Sequence, residues 1–442
     1  MFMINRRSPY YPWLLLTVLS LAYLCASIDR IVISLLVEPI KADLDLTDTQ
    51  ISLLLGLAFV LLFSIAGIPM GMLVDRVDRM RLLAWSAGVW SVMTALCGLA
   101  GGFWMLFVAR AGVGVGEAAL TPAGYSLISD AFEKKRLGLA LGIFTTGGAI
   151  GTGVSLVVGG YAVGELSRHG DFVFAGLGSL HPWQLTLIVL ALPGLVLAAI
   201  IAMMPQPARL IGQRRADDPA SSGALAQFYR DNQAMLARHH LASGLCSMVL
   251  LAGYSWIAAL FARVHGWQPA DVGFAVGIVS IIGAPAGLLG GGMIGDGLIH
   301  KGPHIRLVVC AVSVALAAIF GLIYPLVQSP AAAILAFGAM ALFATVPMGV
   351  GNAVLQHVVP GEIRGLVSAI YSFCLSMIGM AGPTLIAGIA DLFFPFPTGM
   401  RYATALVVPA GLVAAALLWL WTIPPYRRLI RRIDAQDAAP VT

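Results

Sequence analysis

Charge is scarce in this chain. Asp, Glu, Lys and Arg together supply 11% of its 442 residues, against 59% for the hydrophobic types, whereas an average globular domain is about one-quarter charged. Cysteine is scarce too. Cys25, Cys97, Cys246, Cys310 and Cys374 all lie in apolar runs, at spacings that suit neither a disulfide framework nor a zinc site, which leaves them as packing residues. A Gly-x4-Gly-Lys-Ser/Thr loop is missing, so the chain is no primary pump on its own. His-Glu-x-x-His and a nucleophile facing a base are missing as well, which argues against an intramembrane enzyme. Period-two alternation is absent, which excludes a transmembrane barrel. The basic residues are spread over short segments, which excludes a nucleic-acid patch.

What the sequence does contain is long apolar runs, at 13–37, 49–72, 82–101, 103–128, 138–163, 183–204, 240–262, 271–294, 304–325, 331–356, 365–390 and 401–423. Each is about 20 residues or more, the length that crosses a bilayer as a helix. Several are rich in Gly and Ala, as in membrane helices that pack closely. The first run follows "MFMINRR" but is too long for a signal peptide, holds Asp29 and Arg30, and lacks a small-residue cleavage site, so it reads as a retained helix. The expected fold class is an all-α integral membrane protein with twelve transmembrane helices.

The basic residues orient it. With both termini cytoplasmic, one side receives Arg6, Arg7, Arg76, Arg79, Arg81, Lys134, Lys135, Arg136, Arg209, Arg214, Arg215, Arg230, Arg238, Lys301, Arg306, Arg364, Arg427, Arg428, Arg431 and Arg432. The other receives Lys41, Arg168, Arg263 and Arg401. This is the positive-inside asymmetry of a multi-pass protein of the cell inner (plasma) membrane.

A polar interval, 205–240, separates helices six and seven and leaves room for a short amphipathic helix near 223–237. The expected organisation is an N-terminal six-helix bundle (1–204), a cytoplasmic linker (205–239), a C-terminal bundle (240–426) and a cytoplasmic tail (427–442). The bundles look duplicated. "GMLVDRVDR" (71–79) resembles "GMIGDGLIH" (292–300), and "ISDAFEKKRLGLALG" (128–142) parallels "LQHVVPGEIRGLVSAIYS" (355–372). Parallel repeats with a midplane site between them are a transporter plan.

Four charges remain inside the runs: Asp29, Arg30, Arg110 and Glu117. A charge at mid-bilayer costs about 2.5–3.5 kcal/mol on insertion scales, so it faces a partner or water. Depths of roughly 13 and 11 Å, at 1.5 Å per residue, let Asp29 and Arg110 meet. Tyr23, Ser27, Arg30 and Ser34 share one stripe of helix one, which points Arg30 into a cavity and Asp29 toward a neighbouring helix. Arg110, Gly114, Glu117 and Thr121 form a matching stripe on helix four. Burial makes a carboxylate hold its proton and a neighbouring arginine makes it release one, so an anion arriving at the arginine switches the proton. The C-terminal half offers only polar residues, Tyr254, Asn352 and Tyr371 among them, which suits an amphipathic solute with its head group at Arg30. His357 reads as a packing or capping histidine, and His239, His240, His300 and His304 as surface residues at the membrane edges.

These motifs resemble a known family. "GMLVDRVDRMRLL" is similar to the loop-2/3 signature of the major facilitator superfamily, and "RAGVGVGEAALTPAG" to its helix-four motif. "PIKADLDLTDTQISLLLGLAFVLLFSIAGIPMGMLVDR", the Asp-Arg of helix one and "GVGEAALTPAGYSLISD" resemble the Spinster group. The resemblance implies two pseudo-symmetric six-helix bundles and a proton-coupled carrier of lysophospholipids or sphingoid-type lipids. It also implies alternating access, a monomer and no cofactor beyond the proton gradient. A carrier of small organic anions or amphipathic drugs is the alternative. By the resemblance, Asp29 matches the proton site, Arg30 and Glu117 match substrate or coupling residues, and Arg110 matches the helix-four arginine; Glu117 joins Asp29 as an expected proton carrier, and the polar residues Tyr23, Ser27, Thr121, Tyr254, Asn352 and Tyr371 complete the expected substrate path. Gly71, Asp75, Arg76, Arg79, Asp130, Glu133, Arg136, Asp296 and Arg364 form a cytoplasmic gate, with Asp75 capping helix eleven and Arg76 or Arg79 pairing with Asp130 or Glu133. Two features depart from the pattern: Asp78 replaces a glycine, and "GGAIGTGVSLVVGG" lacks the prolines of the antiporter motif.

Overall fold

A computed structural model describes residues 10–174, 178–208, 219–360 and 363–437. Among them, 12 helical stretches are long and apolar enough to cross a membrane. In order these spans are Tyr11–Leu35, Asp48–Val74, Arg79–Gly98, Phe103–Ala131, Leu139–Ser167, Pro182–Met203, Gln233–His265, Pro269–Gly297, Ile305–Leu326, Pro330–Val358, Arg364–Phe393 and Met400–Ile433. They fall where the apolar runs place them. Large side chains such as Trp85, Trp104 and Leu392 point outward and are more than 70% exposed, as lipid-facing residues must be when the solvent is hydrocarbon.

Helix ends follow from local chemistry. Span two opens on a capping box, in which Thr47 Oγ1 accepts the Gln50 N–H at 3.2 Å and Gln50 Oε1 accepts the Thr47 N–H at 2.9 Å, satisfying two orphan donors. Asp78 caps span three by accepting the Arg81 N–H at 2.9 Å. The acid that departs from the superfamily signature is thus a helix N-cap. Proline occupies the first helical position of spans six and ten, at Pro182 and Pro330, where its missing N–H costs nothing. A strand pair, Phe172–Phe174 with Gly178–Leu180, lies between spans five and six. The helix of the polar interval runs Pro219–Asp231, and a new helix starts at Gln233. The expected 223–237 helix is therefore split at Asn232, with its last part belonging to span seven.

The chain forms two compact units whose bounds differ from the sequence halves. The first holds Met1–Gly212, Tyr254–Ile281 and Ala387–Gly399; the second holds Gln213–Gly253, Ile282–Ile386 and Met400–Thr442. In the first unit, spans five and eight cross backbone to backbone. A Cβ on Gly273 would stand 2.4 Å from the Leu156 carbonyl oxygen, and one on Gly277 would stand 2.7 Å from that of Gly153. Small residues permit this approach. In the second unit, span seven packs His239 against the Trp419 and Tyr371 rings, with centroids 5.1 and 5.4 Å away.

Candidate functional site

The four intramembrane charges gather inside the first unit, on spans one and four. Arg30 Nη2 lies 2.5 Å from Glu117 Oε2. The Glu117 side chain is fully buried and that of Arg30 is one-third exposed, with the Arg30 Nε atom buried. The Arg30 guanidinium also sits 4.9 Å from the Phe59 ring centroid and 5.1 Å from that of Phe63, within cation–π range. Phe59 and Phe63 are a stacked pair on span two, 5.5 Å apart.

Arg110 and Asp29 meet differently from the sequence expectation. Arg110 Nη1 donates to the backbone carbonyl of Asp29 at 3.0 Å, and no ion pair joins the two side chains among the described residues. Both are buried, at 3% and 2% exposure. Among the described residues, Asp29 Oδ1, Arg30 Nε, Glu117 Oε1, Arg110 Nε and Arg110 Nη2 have no hydrogen-bond partner. Of the four side chains, that of Arg30 is the partly exposed one, and the other three are buried. The reason is helical geometry: Asp29 and Arg30 are about 100° apart around span one, so only one of them can face outward.

Glycines set this packing. A Cβ on Gly114 would lie 2.5 Å from the Phe59 carbonyl oxygen, and one on Gly116 would lie 2.7 Å from the Trp90 backbone nitrogen. Spans two and three thus close on span four around the charges. Span four is not one continuous helix. Its first helix, Phe103–Glu117, ends at Glu117 and the next starts at Leu120, so the expected stripe from Arg110 to Thr121 crosses a break. Thr121 is half-buried beyond that break. Tyr23 packs on the Phe144 ring at 5.2 Å. The Ser27 hydroxyl donates to the Tyr23 carbonyl at 2.9 Å, so it is satisfied within its own helix. Tyr254 donates to Ser280 Oγ at 3.1 Å, also in the first unit.

In the second unit, Asn352 is exposed and accepts from Gln356 Nε2 at 3.3 Å. Tyr371 is 6% exposed, wedged against His239 and His240 at 5.4 Å each, which makes it a packing residue. Those two histidines are buried as well, at 0% and 6%, against the expectation of surface residues. His239 Nε2 contacts the Gly351 carbonyl at 2.9 Å and His240 Nε2 contacts the Tyr229 hydroxyl at 3.2 Å. Span seven starts a full two turns earlier than its apolar run, which carries the pair inside the helix packing. His357 pairs with the Tyr426 hydroxyl at 3.1 Å.

The predicted gate residues separate. Arg79 is 2% exposed; it pairs with Asp130 and donates to Ser126 Oγ at 2.9 Å. Both partners belong to the first unit, so this contact braces the loop between spans two and three against span four. Arg76, Glu133 and Arg136 are exposed and Gly71 half-exposed. Asp296 pairs with Arg306 at 2.6 Å. Arg364 reaches the Val359 carbonyl at 3.4 Å, and the helix it opens has Ile363 at its N-cap with no side-chain cap. The Asp75 side chain lies outside the described ones.

Sequence reading missed a clamp in the first unit. Arg263 forks onto Asp48, with Nη1–Oδ2 at 2.6 Å and Nη2–Oδ1 at 2.7 Å, and its Nε donates to Glu38 at 2.8 Å. Lys41 adds a contact to Asp48 at 2.5 Å. A lone signal was available: Lys41 and Arg263 are cations on the side that carries few.

The sequence pattern of the Major Facilitator Superfamily matches residues 19–383. An MFS-type efflux pump of Mycolicibacterium smegmatis is 26% identical over 424 residues, 94% of each chain. A probable L-galactonate transporter of Escherichia coli is 26% identical over 406 residues, 88% of this chain and 84% of its own. The crystal structure of a bacterial homologue of the human lysosomal transporter Spinster, inward-facing and unoccupied, superposes with a TM-score of 0.79 at 23% identity, covering 98% of this chain and 100% of that one.

Proposed function

The chain belongs to the Major Facilitator Superfamily of membrane transporters, and from that premise we propose that it is a proton-coupled secondary transporter of an amphipathic anionic or zwitterionic lipid, of the lysophospholipid or sphingoid type. It works by alternating access in the plasma membrane, as a monomer with both termini cytoplasmic, and the proton gradient takes the place of a cofactor. One observation carries the reading: the Arg30 side chain is one-third exposed while Glu117, its ion-pair partner among the described residues, is buried.

An anionic head group competes with Glu117 for Arg30. Arginine presents a planar fork that suits phosphate and carboxylate, and the stacked phenylalanines beneath it offer an apolar surface to the first part of a lipid tail. When the head group takes the guanidinium, Glu117 is left buried without its counter-charge. An uncompensated buried carboxylate is costly, and taking up a proton relieves it. Solute and proton therefore load together. Asp29, one helical step behind Arg30 with a free carboxyl oxygen, serves as the second proton carrier. Arg110 holds the Asp29 backbone in place.

The likeness in fold to the bacterial Spinster homologue agrees with the Spinster-group resemblance of the sequence motifs, from which the lipid reading comes. The E. coli relative favours a second reading, a small organic anion held at the same arginine. Flux into proteoliposomes tests both. A pH gradient should drive uptake of a lysophospholipid, and excess short-chain sugar acid should leave it unchanged. Inhibition by the sugar acid with no lysolipid uptake would replace the first reading by the second.

A further inference from the structure

The helix Val37–Asp43, which joins spans one and two, carries three charged side chains, each held by a different element. Glu38 takes Arg263 at the end of span seven, and Lys41 takes Asp48 at the start of span two. Asp43 takes the start of span six. Its Oδ1 is 2.9 Å from His181 Nε2, and its Oδ2 accepts the Trp183 Nε1–H at 3.0 Å. The opposite nitrogen of the same imidazole, His181 Nδ1, is 2.9 Å from Asp171 Oδ1, just ahead of the strand pair.

This ring has a carboxylate at both ends. A neutral imidazole has one N–H and one lone pair, and an ionised carboxylate only accepts. Two carboxylate oxygens at hydrogen-bond distance from the two nitrogens fit the imidazolium, the form with two donors. We propose that His181, Asp43 and Asp171 form a proton-binding site on the membrane face opposite the described chain ends, separate from the intramembrane charges, and that the bound proton ties the Val37–Asp43 helix to the strand pair and to span six.

The site is reachable. The His181, Asp43 and Asp171 side chains are 42%, 25% and 49% exposed, beside a cleft of about 340 Å³. The groups facing the ring come from three directions. The short helix gives Asp43 and the segment before the strands gives Asp171. Span five ends nearby with Val163 and Ser167, which do not titrate in water's accessible range. Arg168 is engaged with Glu165 at 2.8 Å, and His169 with the Glu165 carbonyl at 3.0 Å. Among the described residues neither of them hydrogen-bonds to His181. The two carboxylates sit at opposite ring nitrogens, so the set does not converge on a metal ion.

The sign follows from the donor count. In acid the ring donates twice and both ties hold. Without its second proton the ring has one N–H and one lone pair, so one carboxylate faces a lone pair. One tie is then lost, so the short helix is held more firmly at low pH on its own side. The proposal stands whatever solute the protein carries.

Hydrogen–deuterium exchange on the full-length protein in lipid nanodiscs tests it, with rates at about pH 5 and about pH 8 divided by the intrinsic chemical rate. For wild type, protection of residues 37–46 should fall about one-and-a-half- to fivefold from the lower to the higher pH, the range for one exposed ionic contact. His181→Gln, which cannot carry a charge, should flatten that dependence, and Asp171→Asn should reduce it. A pH-independent wild type, or a His181→Gln or Asp171→Asn protein that keeps the full wild-type change, would overturn the site.

Discussion

Arg30 and Glu117 stand 87 residues apart in sequence and 2.5 Å apart in space, the one partly open and the other fully buried. A pair built this way is an exchangeable contact, because a solute can reach the cation without first reaching the carboxylate. Arg30→Ala is expected to weaken an anionic lysolipid about ten- to a hundredfold, the range for a lost charge-assisted hydrogen bond, and a neutral analogue much less. Equilibrium binding of the two ligands to purified protein measures the ratio; equal losses would count against head-group recognition.

Among the described residues Asp29 makes no ion pair, and Arg110 reaches its backbone carbonyl instead, so replacing its side chain breaks none there. Asp29→Asn is expected to keep the melting temperature within a few degrees of wild type and to abolish uptake driven by a pH gradient. Proteoliposome flux with and without the gradient reads this directly. Retained gradient dependence would remove Asp29 from the proton path.

Arg79 is a brace. Its removal takes away the guanidinium that pairs with Asp130 at a site where the Arg79 side chain is 2% and that of Asp130 7% exposed, and breaking a buried pair from one side costs about 3–5 kcal/mol. Arg79→Ala should therefore melt well below wild type. Arg79→Lys should recover only part of the loss, since lysine lacks the fork that reaches Asp130 and Ser126 together. Thermal unfolding in detergent gives the comparison.

Gly116 permits contact with the Trp90 backbone, whereas Gly67, on span two, has nothing within 4 Å of a built Cβ. Gly116→Ala is expected to destabilise by about 1–3 kcal/mol through overpacking. Gly67→Ala should be neutral or slightly stabilising, because alanine is the better helix former. Melting temperatures that do not separate the two would show that spans three and four have room to relax.

The spans were readable because apolar runs of about 20 residues have few alternatives to crossing a membrane. The angle between Asp29 and Arg30 was readable because it is a property of one helix. What needed the structure is what depends on how helices meet. Asp29 and Arg110 could be placed at one depth from the sequence, but not the choice of a backbone carbonyl over a carboxylate as Arg110's partner. The sequence offers Asp130 or Glu133 as Arg79's partner and the structure has Asp130, but the burial of the pair needed the structure, since it comes from Asp130, Ser126 and Pro207 converging on Arg79. His239 lies just before the apolar run at 240–262 and His240 is its first residue, and nothing in that run's composition shows that the helix continues back past it into packed surroundings.

The account rests on exchange at Arg30, and the most direct measurement is proton uptake on binding, obtained by titration calorimetry of a lysophospholipid in buffers of different ionisation enthalpy. Wild type is predicted to take up protons as ligand binds, and Glu117→Gln is predicted to bind with that uptake reduced or gone. Binding with no proton uptake in wild type, or with the same uptake in Glu117→Gln, would contradict it.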